Sequence, residues 1–391
     1  MKKGWPTKRL ADVILDIKDG GTPSRKNPEY FGGDVYWCVV KDIKPLIYDT
    51  AEKLTEDGLN NCSAKVWPVD SVIISLGATI GQIGIAKVPT ATKQGLAGIV
   101  LNRQMMTPEF LAYGLLGQKE YIQSLATGAT IKEIRPTRFA ETIQLPVPPL
   151  AEQQRIVGLL DEAFEGLATA KANAEKNLQN ARALFESHLQ AVFTQRGPGW
   201  PERRFDEVCA ITSTLVDPRK REFLDLTHVG AGNIESKTGV FVDLKTAREE
   251  GLISGKFLFD DSMVLYSKIR PYLMKVARPD FEGLCSADMY PLSPIQNVIT
   301  RDYLFHLLLS KHFTDYAIQG SARAGMPKVN RDHLFEFRVW LPDVKKQKRL
   351  AANLDSLHKE TQLLARLYER KQAALEALKK SLLHQAFTGE L

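Results

Sequence analysis

At 391 residues the chain is long for one domain and comfortable for two, and its 44% hydrophobic and 25% charged side chains are those of a soluble globular protein. The formal charge of +6 is too modest and too evenly spread to announce a nucleic-acid binder by itself: the net is +3 over residues 1–145, −1 over 146–196, zero over 197–341 and +4 over 342–391. Cys38, Cys62, Cys209 and Cys285 stand far apart without CxxC spacing or histidine-rich surroundings, which argues against a disulfide framework or structural zinc and fits a reducing compartment.

The chain opens with two lysines and then Gly4-Trp5-Pro6, without the apolar core of a signal peptide. Residues 1–145 hold short β-like runs at Val35–Val40, Ser71–Leu76 and Gly84–Val88, then an amphipathic helical stretch near 108–126. The most apolar stretch, Val72 to Ala86, is broken by three glycines, Thr79 and Gln82 and is too short to span a bilayer. A cytoplasmic protein without a membrane partner is expected. Two loops offer short hydroxyls, cations or small residues suited to phosphates or base edges: Asp19-Gly20-Gly21-Thr22-Pro23-Ser24-Arg25-Lys26 and Ser75-Leu76-Gly77-Ala78-Thr79-Ile80-Gly81. Asn27-Pro28-Glu29-Tyr30 is one residue from the Asn-Pro-Pro-Tyr turn of amino-methyltransferases, but no glycine-rich strand-to-helix loop precedes it.

Prolines at 146, 148 and 149 block helix before them, and none follows until Pro198, so one helix of about 40 residues, roughly 60 Å long, is permitted. From Ile156 a heptad seam runs through Leu160, Ala163, Leu167, Ala170, Ala174, Asn177, Ala181, Leu184, His188 and Ala191. Residues 197–341 repeat the first pattern, with strands at Met263–Tyr266 and Phe335–Leu341 and a helical stretch at 301–318. Here Gly230-Ala231-Gly232 is half a dinucleotide fingerprint followed by a turn, and Tyr266-Ser267-Lys268-Ile269-Arg270-Pro271-Tyr272 aligns in pattern with Ser75 to Gly81. Small neutral residues in one copy thus face cations in the other, and these suit different base edges. The last segment, 342–391, repeats the seam as Leu350, Leu354, Leu357, Thr361, Leu364, Tyr368, Lys371, Leu375, Leu378, Leu382 and Gln385.

The repetition is regular. Pro148, Gln153, Arg155, Asp161, Leu189 and Phe193 recur as Pro342, Gln347, Arg349, Asp355, Leu383 and Phe387 at a constant offset of 194, and Gly4-Trp5-Pro6 recurs as Gly199-Trp200-Pro201. A unit of this length is a duplicated domain rather than a solenoid repeat. The expected fold is α+β with an internal pseudo-two-fold repeat: two mixed α/β domains, 1–145 and 197–341, separated by a pair of long antiparallel coiled-coil helices within 146–196 and 342–391. Antiparallel pairing about that axis sets Asn177 opposite Thr361 and Leu167 opposite Lys371, places the globular segments at opposite ends of the rod, and brings the chain termini together. No Walker sequence, HExxH or paired metal-ligand spacing appears.

The phrase Leu145-Pro146-Val147-Pro148-Pro149-Leu150-Ala151-Glu152-Gln153-Gln154-Arg155-Ile156 is joined by its weaker echo from Leu341-Pro342 to Leu350. With the Gly21-Thr22-Pro23-Ser24 loop, the Lys268-Ile269-Arg270-Pro271-Tyr272 run and the terminal Phe387-Thr388-Gly389-Glu390-Leu391, it resembles the specificity subunit of a type I restriction-modification system across essentially the whole chain. The resemblance implies two target-recognition domains that read a bipartite, asymmetric site on double-stranded DNA, with the helices measuring the spacer. It further implies two modification subunits bringing S-adenosylmethionine for adenine N6 methylation, and restriction subunits bringing ATP and Mg; this chain would hold no cofactor, no metal and no catalytic residue. Candidate DNA contacts are Thr22, Ser24, Arg25, Lys26, Lys41, Thr79, Lys93 and Gln94 in the first domain, and Lys268, Arg270, Tyr272, Lys275, Arg323, Lys328, Asn330 and Arg331 in the second. The second closing phrase departs from the first, with Asp343 and Lys345-Lys346 in place of Pro149 and Ala151-Glu152. Two readings from other classes are a coiled-coil scaffold with two protein-binding lobes and a stand-alone DNA-modifying enzyme.

Overall fold

A computed structural model describes residues 5–128, 132–321 and 327–391, and these form two compact units: the described residues up to 174 with 370–391, and those from 175 to 369. Each unit joins one globular segment to one end of both long helices.

In the first unit a five-stranded sheet has the order Ile14–Asp19, Leu96–Leu101, Val72–Ser75, Ile83–Ala86, Leu46–Ile47, antiparallel except for the last, parallel pair. Val72 to Ser75 is buried on both faces, the reason for its unbroken apolar run. A four-stranded sheet follows with Phe31–Cys38 and Thr90–Thr92 parallel at its centre. The second unit has a four-stranded sheet, Cys209–Ala210, Met289–Pro294, Val264–Ser267, Val276–Ala277, and a five-stranded sheet in which Thr227–Val229 runs parallel to Gly283–Cys285. Both segments begin and end in one two-stranded pair: Thr7–Arg9 with Gln144–Pro146, and Glu202–Arg204 with Arg338–Trp340.

Several expected boundaries move. Each helical stretch is two helices, Pro108–Gly117 with Lys119–Ser124 and Arg301–Leu309 with Lys311–Gln319. At the second break Ser310 is extended and its hydroxyl accepts from the Phe313 amide, so one residue ends a helix and caps the next. Phe335 and Glu336 belong to the helix Arg331–Glu336, and only Arg338–Trp340 is strand.

The long helices, Leu150–Thr194 and Val344–Thr388, have 45 residues each, about 67 Å at 1.5 Å per residue. Within each unit they run antiparallel. Arg155 donates to the Leu391 carbonyl and Lys171 pairs with Glu376 in the first; Arg182 pairs with Glu369 and the Phe185 ring lies tilted against His358 in the second. Trp5 and Leu391 pack on one core, as expected of neighbouring chain ends; Gly4 lies outside the described residues.

The seam holds in part. Ile156, Leu160, Ala174, Ala181 and Leu354 are buried, Leu350, Leu357 and Leu382 pack on the unit cores, and Leu167 and Leu375 are partly buried. Leu184, Leu364 and Leu378 instead face solvent at 52%, 41% and 47% exposure, while Phe185, Leu189, Val192, Leu383 and Ala386 are buried. A helix of 3.6 residues per turn drifts about 20° per heptad against a strict seven-residue repeat, so alternate seam positions pass to the next residue. Register differs too: Phe185 meets His358 where the expected pairing puts Asn353. Asn177 is exposed, and the buried Thr361 hydroxyl returns to the Leu357 and His358 carbonyls of its own helix.

The departure in the second closing phrase has a local cause. Asp343 accepts from the Lys346 amide and caps the second long helix, whereas in the first copy the Pro149 carbonyl takes the Glu152 amide.

Candidate nucleic-acid interface

Two glycines seat the first loop of unit one. A Cβ on Gly20 would lie 2.1 Å from the Thr92 carbonyl oxygen and one on Gly21 2.3 Å from the Ala64 amide nitrogen, so only glycine allows the backbone this close. Gly21 donates to the Thr92 carbonyl, and its own carbonyl accepts from the Trp37 indole at 3.0 Å. Pro23 is buried, which leaves Thr22, Ser24, Arg25 and Lys26 exposed on an anchored turn.

Arg25 is exposed but engaged, its guanidinium pairing with Glu52 at 2.6 Å and lying over the Phe31 ring at 4.4 Å and the Trp37 ring at 5.4 Å. This arginine supports the loop rather than reaching out of it. The hydrogen bond from Arg25 holds the Glu52 carboxyl below the usual carboxylate range, and Lys41 and Lys93 add to that field. Three candidate cations from separate stretches therefore gather around one carboxylate. Gln94 and Thr79 are exposed, and the Thr79 carbonyl accepts from the Ser75 hydroxyl.

In the second unit, strand Val264–Ser267 ends at Lys268, which is fixed on both sides: its amide donates to the Asp288 carbonyl at 3.0 Å and its carbonyl accepts from the Val329 amide at 2.8 Å. The Lys268 ammonium donates to the Ala287 carbonyl and lies 3.7 Å from Asp288. Burial and the neighbouring Lys328 push its pKa down, with Arg331 adding to the repulsion and Asp288 opposing it. Among the described residues no ion pair links Lys328 or Arg331 to a carboxylate. Arg270 is exposed with φ of 50° and donates its amide to the Pro327 carbonyl; Tyr272 is half exposed; Asn330 stands exposed at the cap of Arg331–Glu336. Lys275 is turned to the Ala231 carbonyl, and Arg323 lies outside the described residues.

The two units share the two backbone bonds that hold Lys268. In the first, the Leu76 amide donates to the Gly95 carbonyl and the Ile134 amide to the Leu76 carbonyl, at 2.9 and 2.8 Å. Leu76 thus matches Lys268, and Ser75 matches Ser267, one position later than the pattern alignment from sequence. The match also sets Glu133 against Lys328 and Pro136 against Arg331. Sequence reasoning passed over Glu52, whose signal is its place beside Arg25, and Asp288 and Glu133, whose signal is only their place in this frame.

Among the described residues no cluster of histidine, cysteine or carboxylate side chains is arranged to hold a metal, and no helix is long and apolar enough to cross a membrane. All four cysteines are free thiols, and burial pushes those of Cys38 and Cys285 up to about 12.

Comparison with known proteins agrees with this duplicated frame. The family model of the type I restriction modification DNA specificity domain matches twice, at residues 2–178 and 198–370. The chain is 28% identical to the EcoDI specificity subunit of Escherichia coli over 83% of its own length and 79% of that protein's. It is 22% identical to the EcoKI specificity subunit of the same organism, covering 100% of this chain and 90% of that one. Among solved structures, a chain from a study of complex assembly and conformational transition of the type I R-M system matches with a TM-score of 0.77 at 20% identity, covering 100% and 99% of the two chains. The HsdS subunit from Thermoanaerobacter tengcongensis matches with a TM-score of 0.64 at 21% identity, over 100% and 98%.

Proposed function

The chain belongs to the family of type I restriction modification DNA specificity domains, and from that membership we propose that it is the DNA-reading subunit of a type I restriction-modification complex. Each unit reads one half of a bipartite, asymmetric duplex site, and the paired helices set the distance between the halves. Two modification subunits dock on the chain and bring S-adenosylmethionine for adenine methylation, while restriction subunits bring ATP and Mg. The chain itself selects sequence and supplies no catalytic residue.

The observation that carries this reading is one hydrogen-bonded frame occurring twice with unlike side chains at its loop ends, Leu76 and Glu133 in one copy, Lys268 and Lys328 in the other. Phosphate contacts carry no sequence information and base contacts do, so a shared scaffold with divergent tips suits a reader of two different half-sites. Two linked modules gain affinity only when the half-site separation fits the linker, which makes spacing part of the specificity. Near-neutral bulk charge is compatible with this role because flanking subunits add phosphate contacts.

The test is to co-express the chain with modification subunits and map methylated adenines. A two-part motif with a constant gap is expected, lost when this chain is omitted. Methylation or cleavage by the purified chain alone would overturn the non-catalytic role.

A further inference from the structure

We propose that the matched tips read opposite base-edge chemistry: Lys328 and Arg331, placed by Lys268, recognise a guanine in the second unit's half-site, whereas Glu133 at the same frame position of the first unit bars guanine there. This rests on the DNA-reading function above and extends it to the kind of base each unit accepts.

The assignment starts from the frame. Lys268 and Leu76 occupy one backbone position, each held by an incoming amide bond from the helix-leading segment, Val329 in one unit and Ile134 in the other. The residue just before that amide is Lys328 or Glu133, both exposed, so the tip changes sign at a matched position, with the backbone of Glu133 bridged to Thr127 and that of Lys328 to Ile269. Lys132 and Arg135 flank Glu133 where Pro327 and Asn330 flank Lys328, which makes the inversion one of position and not of bulk charge.

Cations drawn together without an equal number of carboxylates repel one another in the free protein. Lys268, Lys328 and Arg331 meet only Asp288 as an ion-pair partner within the described frame, and Lys268 feels both neighbouring cations. An acceptor-rich ligand relieves that repulsion. Phosphates and the guanine O6 and N7 pair both qualify, and the comparison between units separates them. A phosphate contact needed at the same frame position of both units on one duplex has no reason to change sign, whereas a base contact must follow the base. Lysine and arginine are the side chains matched to guanine, and a carboxylate accepts from an amino group and repels those acceptors. The rigid seating of Lys268 adds to this, because fixed donors discriminate and mobile ones only attract.

The experiment uses the complex with its modification subunits and a library randomised in both half-sites. Arg331→Ala and Lys328→Glu are expected to lower the preference for guanine at one position of one half-site by about ten- to a hundredfold, leaving the other half-site unchanged. Glu133→Lys is expected to raise acceptance of guanine at one position of the other half-site. Melting curves matching wild type confirm that these exposed substitutions leave the fold intact. Uniform weakening on all sequences, with a shallower salt dependence, marks phosphate contacts and overturns the assignment, as does an unchanged preference or a wild-type half-site lacking guanine. A wild-type complex with no defined motif overturns the DNA-reading function itself, a result distinguishable from the others.

Discussion

Gln153 and Gln347, 194 positions apart, insert fully buried carboxamides into the same three hydrogen bonds. Gln153 accepts from the Thr107 amide at 2.9 Å and donates to the Met105 and Pro148 carbonyls; Gln347 accepts from the Thr300 amide at 2.9 Å and donates to the Val298 and Pro342 carbonyls. Each thereby ties the first turn of a long helix to the N-cap of the shorter helix beside it. Gln153→Ala or Gln347→Ala strands buried backbone groups, each costing about 1–3 kcal/mol. Urea unfolding is expected to register the loss in the unit that carries the change, and an unaltered midpoint would refute the clamp.

Acid is expected to weaken the second unit before the first. Burial lowers the pKa of His228, His306, His312 and His358, all within residues 175–369. Burial likewise opposes ionisation of Asp355, but hydrogen bonds from His306 and Arg278 hold its carboxyl well below the usual range. Groups with depressed folded values add stability above their unfolded pKa and lose it as pH falls. The histidine contribution therefore declines from about pH 6.5 downward and that of Asp355 below about pH 4. Hydrogen exchange at pH 7 and pH 5 checks this, because equal acid loss in both units is incompatible with it. At the place of His306 the first unit has Tyr113, hydrogen-bonded to Asp161, and burial pushes the Tyr113 phenol further above its ordinary value.

Gly21→Ala is expected to cost about 1–3 kcal/mol, the usual range for overpacking, and to displace the loop bearing Thr22 and Ser24. Site selection by the assembled complex should then degrade in one half-site only. Retained selectivity with unchanged stability would mean the loop tolerates a side chain against Ala64.

Lys41→Ala or Lys93→Ala removes an exposed or half-exposed cation near Glu52 and is expected to weaken binding alike on all duplexes, with the salt slope shallower by about one per contact. Arg25→Ala should instead lower stability, since its guanidinium is engaged within the fold. A titration across ionic strengths, set beside a melting curve, separates the two behaviours.

Inserting one heptad into both long helices adds about 10 Å, close to three base pairs at 3.4 Å each. The preferred gap in the methylated motif is expected to lengthen accordingly. An unchanged gap would remove the helices from the measurement of spacing.

Much of this architecture is legible in the amino-acid order because duplication prints it twice: Gln153 and Gln347, or Asp161 and Asp355, announce a shared role before any contact is known. Helix length was readable from proline placement. What escaped reading depends on three dimensions. Leu184 and Leu364 fit a heptad on paper, yet helical drift turns them to solvent and brings in Phe185. Arg25 reads as a free cation until Glu52, Phe31 and Trp37 are found beside its guanidinium. Glu133 and Lys328 become comparable only when the amides of Ile134 and Val329 reveal the same backbone position.

Each globular segment enters and leaves through adjoining strands, Thr7–Arg9 against Gln144–Pro146 and Glu202–Arg204 against Arg338–Trp340. A polypeptide stretch whose two ends are hydrogen-bonded neighbours is exchangeable as a cassette, since a replacement has only to meet the same two strands. Because the host chain carries two such sockets, recombination between paralogues or between its own halves can generate new pairings of half-sites while the helices stay untouched. Diversification of target choice is thereby uncoupled from the risk of misfolding the frame.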